Sequence, residues 1–208
     1  MIFELFFLCC VLITVISLIT ALVLTVRARR PAAKRVLKVL GVGWILYLSA
    51  VVLVSANTPQ RVVPMNQDLC FDELCFAVVR VKTASQLGVA VQPVQADGIF
   101  SIVTVRATSH SRGRAQSEGG LRALLWSTGG TYEVSRAGQS AWDAEHPQSV
   151  QLTTRLRPGE SLLSDQVFDV PAKAADLSLV LSHGFTPGYF VIGECPIFHK
   201  PTIMRISP

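Results

Sequence analysis

The sequence is poor in charged and aromatic residues, and it lacks the motifs by which common catalytic folds are identified. Charged residues make up 16% of the 208 residues and aromatic residues 8%, whereas 50% are hydrophobic. This composition excludes an intrinsically disordered chain and a collagen. We find no Walker loop, no dinucleotide fingerprint and no G-x-S-x-G elbow. We therefore predict a protein that is not an enzyme and that needs no cofactor.

Acidic residues are absent from residues 27–38, a stretch that holds six of the 19 basic residues. From residue 57 onward the chain has 13 basic and 13 acidic residues, so the net charge of +5 comes from this one stretch. A nucleic-acid-binding protein would need basic residues clustered on its folded domain. The charge distribution therefore predicts no nucleic-acid partner.

Two uncharged runs, residues 5–26 and 39–56, flank the basic stretch. The first would form about 33 Å of helix, and the second is at the short end of what crosses a bilayer. Basic residues next to membrane spans stay on the cytoplasmic side. The pattern predicts two transmembrane helices in the inner membrane, joined by a cytoplasmic loop at residues 27–38. Both chain ends, and everything after residue 57, would then be extracytoplasmic.

Each uncharged run also has features of a signal peptide. No basic residue precedes the first run, which weakens that interpretation for it. The second run follows a basic stretch and ends in V-S-A, which resembles a cleavage site. Cleavage after Ala56 would release the downstream domain instead of tethering it. Both alternatives place that domain outside the cytoplasm.

The rest of the chain is rich in short runs typical of β-strands. Residues 57–69 are interpreted as a polar stalk, and residues 70–208 as one domain. The predicted strands are residues 76–82, 99–108, 121–127, 132–135, 150–157, 162–170, 177–183, 189–193 and 202–206. One short helical segment is predicted at residues 135–146. Many short strands with almost no helix indicate an all-β sandwich.

Residues 156–181, L-R-P-G-E-S-L-L-S-D-Q-V-F-D-V-P-A-K-A-A-D-L-S-L-V-L, combine a Pro-Gly turn, a strand ending in F-x-V-P and a following L-x-L strand. This run resembles a family of bacterial membrane-anchored or lipid-anchored extracellular domains of unknown function. The family is similar in fold to the mycobacterial secreted immunoprotective antigen. The resemblance implies an immunoglobulin-like sandwich, and it carries over no activity and no catalytic residues.

The sharpest local feature of the domain is the segment C-F-D-E-L-C. A tight turn would bring Cys70 and Cys75 within disulfide range, and such a pair should oxidise outside the cytoplasm. Cys195 is interpreted either as a buried free thiol or as an alternative partner for Cys70 or Cys75. His183 and His199 could converge with Cys195 or Met204 to bind copper or zinc. An envelope redox or metal-handling protein is therefore the alternative function.

A polar Gly/Ser/Arg loop, residues 109–120, is the main candidate for partner contacts, with Arg112 and Arg114 in it and Arg122 just after it. Trp142 and His183 are further candidates, although Trp142 also suits a sandwich core. We predict a non-catalytic binding or scaffolding module of the bacterial cell envelope. Its partners would be the lipid bilayer and an envelope protein or glycan.

Overall fold

The computed structural model of the protein describes residues 2–88, 93–183, 190–192 and 200–206. The chain forms two compact units. The helical unit comprises residues 1–60 and 186–200, and the β unit comprises residues 61–185 and 201–208. The first boundary between the two units lies at residues 60–61.

Two long helices make up most of the helical unit. Helix α1 spans Ile2–Val26 and helix α2 spans Arg30–Asn57, and both are long and apolar enough to cross a membrane. Helix α2 begins well before the uncharged run, because Lys, Arg, Ala and Leu are good helix formers and Pro31 is tolerated in a first turn. The predicted loop at residues 27–38 is thus shorter than expected, since most of the basic stretch is helical.

Two sheets form the β unit, as the sequence predicts for a β-sandwich. The five-stranded sheet has the order β1 (Val62–Val63), β9 (Ile203–Arg205), β8 (Ser178–His183), β5 (Leu121–Ser127) and β6 (Gly130–Glu133). The four-stranded sheet has the order β2 (Leu69–Phe71), β3 (Leu74–Leu87), β4 (Val94–Ser109) and β7 (Ser161–Val170). Strands β1 and β9 are parallel, and the other paired strands of the two sheets are antiparallel.

The main hydrophobic core lies between the inner faces of the two sheets. Alternate residues of each strand point inward, as the period-2 pattern requires. Fully buried members from both sheets include Phe76, Val103, Leu125, Phe168, Leu179 and Met204. The burial of these side chains is the main favourable contribution to the stability of the β unit.

The short helix predicted near residue 140 is present as α3, Arg136–Glu145. Ser135 caps its N-terminus, because the Ser135 side chain accepts a hydrogen bond from the backbone of Gly138 at 3.2 Å. Trp142 packs on Phe100 and Val167 of the four-stranded sheet and forms a second, smaller core. Helix α3 therefore covers part of the outer face of that sheet.

The predictions for residues 150–157 and for the stalk differ from the structure. Residues 150–157 form no strand, and only Leu156 makes an isolated bridge, to Gln116. Their alternating pattern arises because Leu152 and Leu156 both reach the main core from an irregular segment. The predicted stalk is also partly structured, since residues 62–63 form β1 and Leu69 begins β2.

Candidate functional site

The turn between β2 and β3 carries the disulfide predicted from the sequence. Cys70 and Cys75 are directly opposite in the antiparallel pair, their Cα atoms are 3.9 Å apart, and their sulfur atoms are bonded. The chain reverses at two residues, Asp72 and Glu73, and Asp72 has a φ of 52°. Asp tolerates this left-handed conformation better than most residues do. Because Cys70 and Cys75 bond each other, neither is available to Cys195, which lies outside the described residues.

The disulfide turn is hydrogen-bonded to the neighbouring polar loop. The backbone N–H of His110 donates to the carbonyl oxygen of Glu73 at 2.7 Å, and the side-chain amide of Gln116 donates to the Glu73 carboxylate. Gln116 and Leu156 exchange two backbone hydrogen bonds of 2.8 Å. These three segments, residues 70–75, 109–116 and 155–160, form one structural cluster that we term the disulfide end.

Arg112 and Arg114 are both exposed on the disulfide end, as a partner-contact role requires. The backbone between them is held in place, because the buried Ser111 hydroxyl donates to the carbonyl oxygen of Arg114 at 3.0 Å. The side chain of Arg155 fixes the next residue by donating to the carbonyl oxygen of Ala115 at 2.9 Å. Within the part of the chain that the structure describes, neither Arg112 nor Arg114 forms an ion pair. Both guanidinium groups therefore remain available to an anionic partner.

Arg122 and His183 occupy a different strand pair from the disulfide turn. Arg122 is exposed on β5 opposite Ser182 of β8, and His183 pairs with Leu121 at the last described position of β8. The structure describes the backbone of His183, whereas His199 lies outside the described residues. The predicted convergence of His183 with His199 and Cys195 therefore lies outside the described residues and stays a prediction.

Trp142 is buried and does not present a contact surface, which corrects its place among the candidate partner residues. Its indole N–H donates to the Asp165 carboxylate at 3.1 Å, and the hydroxyl of Thr104 donates to the other oxygen of that carboxylate at 2.6 Å. The indole ring also stacks on His146, with ring centroids 3.8 Å apart. Trp142 therefore fastens α3 to β4 and β7, which is a structural role.

A polar cavity of about 230 Å³ lies beside α3, and Gln139, Asp143 and Asp165 are among its lining residues. Small-molecule sites usually have volumes of roughly 300–1,000 Å³. Gln139 is already occupied, because its amide donates to Asp143 and to the backbone of Asp165 and accepts from Val167. The small size of this cavity and the bonds of Gln139 add no support for a ligand site there.

The described residues contain no group of three or more His, Cys, Asp or Glu side chains placed to hold a metal ion. Two pairs of acidic residues are close in the sequence, Asp72 with Glu73 and Asp143 with Glu145. In the first pair Glu73 accepts from Gln116, and in the second pair Asp143 accepts from Gln139. The observed contacts of the cysteines, histidines and carboxylates thus add no support to a redox or metal-handling role.

The helical unit includes a contact that the sequence pattern does not reveal. The hydroxyl of Tyr47 on α2 donates to the backbone carbonyl oxygen of Phe190, and the Phe190 ring is stacked against Phe7 of α1 with centroids 6.3 Å apart. Val191 is buried, and Ile192 packs against the same helix cluster. Residues 190–192 therefore do not continue the predicted strand at 189–193, of which residues 189 and 193 lie outside the described part. The sequence signal at residues 189–193 is an apolar stretch with aromatic residues. Such a stretch is compatible with a strand and equally with a segment that packs against helices.

Comparisons with known proteins found similarity to the solved structures of three bacterial proteins. No protein-family model and no curated protein matches the chain. A conserved hypothetical protein of Bacillus anthracis has 17% identity and a TM-score of 0.47, over 59% of this chain and 92% of that chain. The yjhA protein of Bacillus subtilis has 11% identity and a TM-score of 0.43, over 70% and 99%. An uncharacterized β-sandwich protein of Clostridium difficile has 10% identity and a TM-score of 0.42, over 73% and 97%. These likenesses do not link the chain to the mycobacterial antigen.

Proposed function

We propose that this protein is a membrane-tethered, non-catalytic binding or scaffolding module of the bacterial cell envelope. Helices α1 and α2 cross the inner membrane as a hairpin, and the basic residues around their connection stay in the cytoplasm. The β unit is then extracytoplasmic, with an immunoglobulin-like arrangement of the kind that the family resemblance implies. The disulfide end contacts an anionic envelope protein or glycan.

The observation that carries the proposal is the apolar surface of both helices. Leu22 on α1 is 65% exposed and Val39 on α2 is 68% exposed, and large apolar side chains project from the two helices along most of their length. A helix that is apolar on all sides is stable when lipid or protein surrounds it. The asymmetric position of the basic residues supports the orientation.

The arrangement of the disulfide end supports a binding role for it. Loops that a rigid scaffold holds in place are common positions for recognition residues, and Arg is enriched at interfaces. The bonded pair Cys70–Cys75 also favours an oxidising compartment. Tethering raises the effective concentration of the β unit near membrane partners, so a modest affinity suffices.

Membrane topology is the first test. The full chain with a C-terminal tag should remain in the alkali-washed membrane fraction at its intact mass, which is 22.6 kDa plus the tag. Protease added to spheroplasts should digest the tag and the β unit and spare the basic stretch at residues 27–38. A mature chain that begins after Ala56 and appears in the soluble fraction would show a released domain and refute the tether.

Partner recognition is the second test. The tagged chain is crosslinked mildly in membranes, captured and analysed by mass spectrometry. Recovery of a partner that contacts the disulfide end should fall when Arg112 and Arg114 are both replaced by Gln. The matched control replaces two other exposed residues, Arg136 and Arg205, by Gln. Equal recovery from the two double variants would exclude the disulfide end as the contact site.

A further inference from the structure

A groove of about 530 Å³ runs between α1 and α2. Its lining includes Thr14 on α1 and Arg35, Gly43, Trp44 and Tyr47 on α2, and most other lining residues are aliphatic. Gly43 leaves the groove open, because a Cβ atom built on it has no neighbour within 4 Å. On α2 the groove extends from Arg35 to Tyr47, which is about 18 Å at 1.5 Å per residue.

Two polar side chains of the groove, Trp44 and Thr14, form hydrogen bonds within the helix pair. The indole N–H of Trp44 donates to the hydroxyl of Thr14 at 2.9 Å, and that hydroxyl donates to the backbone carbonyl oxygen of Cys10 at 2.8 Å. Most of the remaining wall is aliphatic. An occupant of this part of the groove therefore contacts mainly hydrocarbon.

One end of the groove is positively charged. Arg35 lines the groove there, and it belongs to the stretch of six basic and no acidic residues around the helix connection. Basic pockets between transmembrane helices on the cytoplasmic side are typical sites for anionic lipid headgroups. The groove thus combines a hydrocarbon wall with a cation at one end.

We propose that this groove binds one anionic phospholipid of the cytoplasmic leaflet. The phosphate lies at Arg35, and one acyl chain follows the groove toward Tyr47. The groove is about 18 Å long on α2, which is enough to cover the thickness of one leaflet of the hydrocarbon core, about 15 Å. This inference rests on the membrane-spanning topology proposed above.

Charge favours a lipid over a second copy of the chain as the occupant. A second copy in the same orientation would bring its own six basic residues against those of the first, and like charges repel. A phosphate neutralises part of that charge instead. A second copy remains a distinguishable outcome of the experiment.

The experiment uses the full chain reconstituted in nanodiscs of phosphatidylcholine that contain a minor fraction of phosphatidylglycerol. Native mass spectrometry after release from the nanodiscs counts the lipids that each chain retains. Arg35→Gln removes the proposed phosphate contact, and Arg30→Gln is its control, because Arg30 has the same charge and does not line the groove. Gly43→Leu fills the groove, and Gly41→Leu is its control, since Gly41 has equally open space but lies outside the lining.

We expect the chain to retain one phosphatidylglycerol in preference to phosphatidylcholine. Retention should fall about fivefold or more in Arg35→Gln, the loss expected for one basic contact near the membrane surface. It should also be lost in Gly43→Leu and persist in both controls. Equal losses in Arg35→Gln and Arg30→Gln, or normal retention by Gly43→Leu, would overturn the site. A dimer that Gly43→Leu abolishes would assign the groove to a second copy.

The lipid site and the proposed topology fail in different ways. If the chain stays in washed membranes but shows no preference for phosphatidylglycerol, only the lipid site is refuted. If the chain is recovered without residues 1–56, the helices do not anchor the mature protein, and the proposed function fails as well.

Discussion

Trp44 on α2 donates its indole N–H to the hydroxyl of Thr14 on α1, at 2.9 Å, and so joins the two apolar helices by a side-chain hydrogen bond. Aromatic contacts lie beside this hydrogen bond. The Tyr47 ring meets the Trp44 ring edge-on, with centroids 5.6 Å apart, and it also stacks with the ring of Phe7. In lipid, where burial of apolar surface does not drive helices together, packing and such hydrogen bonds determine their association.

Replacing Trp44 by Phe should therefore weaken the helix pair. With the membrane topology proposed above, we expect a loss of about 1 kcal/mol in the free energy of helix association, the scale measured for hydrogen bonds between membrane helices. A double-mutant cycle with Thr14→Val, followed by detergent-induced unfolding, isolates the hydrogen-bond contribution. Additive effects of Trp44→Phe and Thr14→Val would show that the hydrogen bond contributes nothing.

Removing the disulfide should destabilise the β unit selectively. The double variant Cys70→Ser and Cys75→Ser should lower the free energy of unfolding by about 2 kcal/mol, the value that loop entropy gives for such a short loop. Urea unfolding is followed by tryptophan fluorescence in a Trp44→Phe background. The signal then reports on the β unit, because the remaining tryptophans, Trp126 and Trp142, both lie in it.

Two controls accompany the disulfide variant. The double variant Cys9→Ser and Cys10→Ser should leave the urea midpoint unchanged, because both cysteines lie in the helical unit and are free. Thiol labelling of the denatured wild-type chain should modify three cysteines without reductant and all five with it. Five reactive thiols without reductant would contradict the bonded pair.

Gly138 is a position where a single methyl group should be costly. A Cβ atom there would lie 2.8 Å from a ring carbon of Phe100 and 2.9 Å from a methyl carbon of Val167. We expect Gly138→Ala to lower the stability of the β unit by about 1–3 kcal/mol, as overpacking typically does. Gly113→Ala is the matched control, since its Cβ has open space, and equal urea midpoints for the two variants would contradict this packing.

Trp142→Phe tests the attachment of α3. The variant keeps an aromatic ring but removes the donor to Asp165, so one oxygen of a half-buried carboxylate loses its partner. We expect a loss of about 1–3 kcal/mol in unfolding free energy, together with faster hydrogen exchange in α3. Trp126→Phe, at a half-buried position on β5, should cost less, and the reverse order would argue against the Asp165 contact.

Sequence patterns predicted the strands that have one buried face. They missed a strand that is defined only by pairing with a distant part of the chain. The strands around Phe76, Val103 and Phe168 were predictable, because their alternation reflects one buried face. The pattern at residues 150–157 gave a wrong strand, since Leu152 and Leu156 are buried without ladder partners. Strand β1 was missed because two residues carry no periodicity and their partner is Ile203, near the other end of the chain.

Functional residues were predictable to a similar extent. The spacing of Cys70 and Cys75 revealed a local bond, because a two-residue turn needs no distant information. The burial of Trp142 and the contact of Phe190 with Tyr47 depend on which elements pack together. A single sequence does not carry that information, since an aromatic residue suits a core, a contact surface and a helix interface equally well.

The parallel pairing of β1 with β9 joins the first strand of the β unit to its last. The five-stranded sheet is therefore completed only after the C-terminal residues have been synthesised, and contacts between such distant residues form slowly. Until then β8 presents an unpaired edge, which invites association with other nascent chains. In the tethered state proposed above, the same pairing lets a pull on the N-terminal side of β1 reach β9 directly, at the pair Val62 and Ile203.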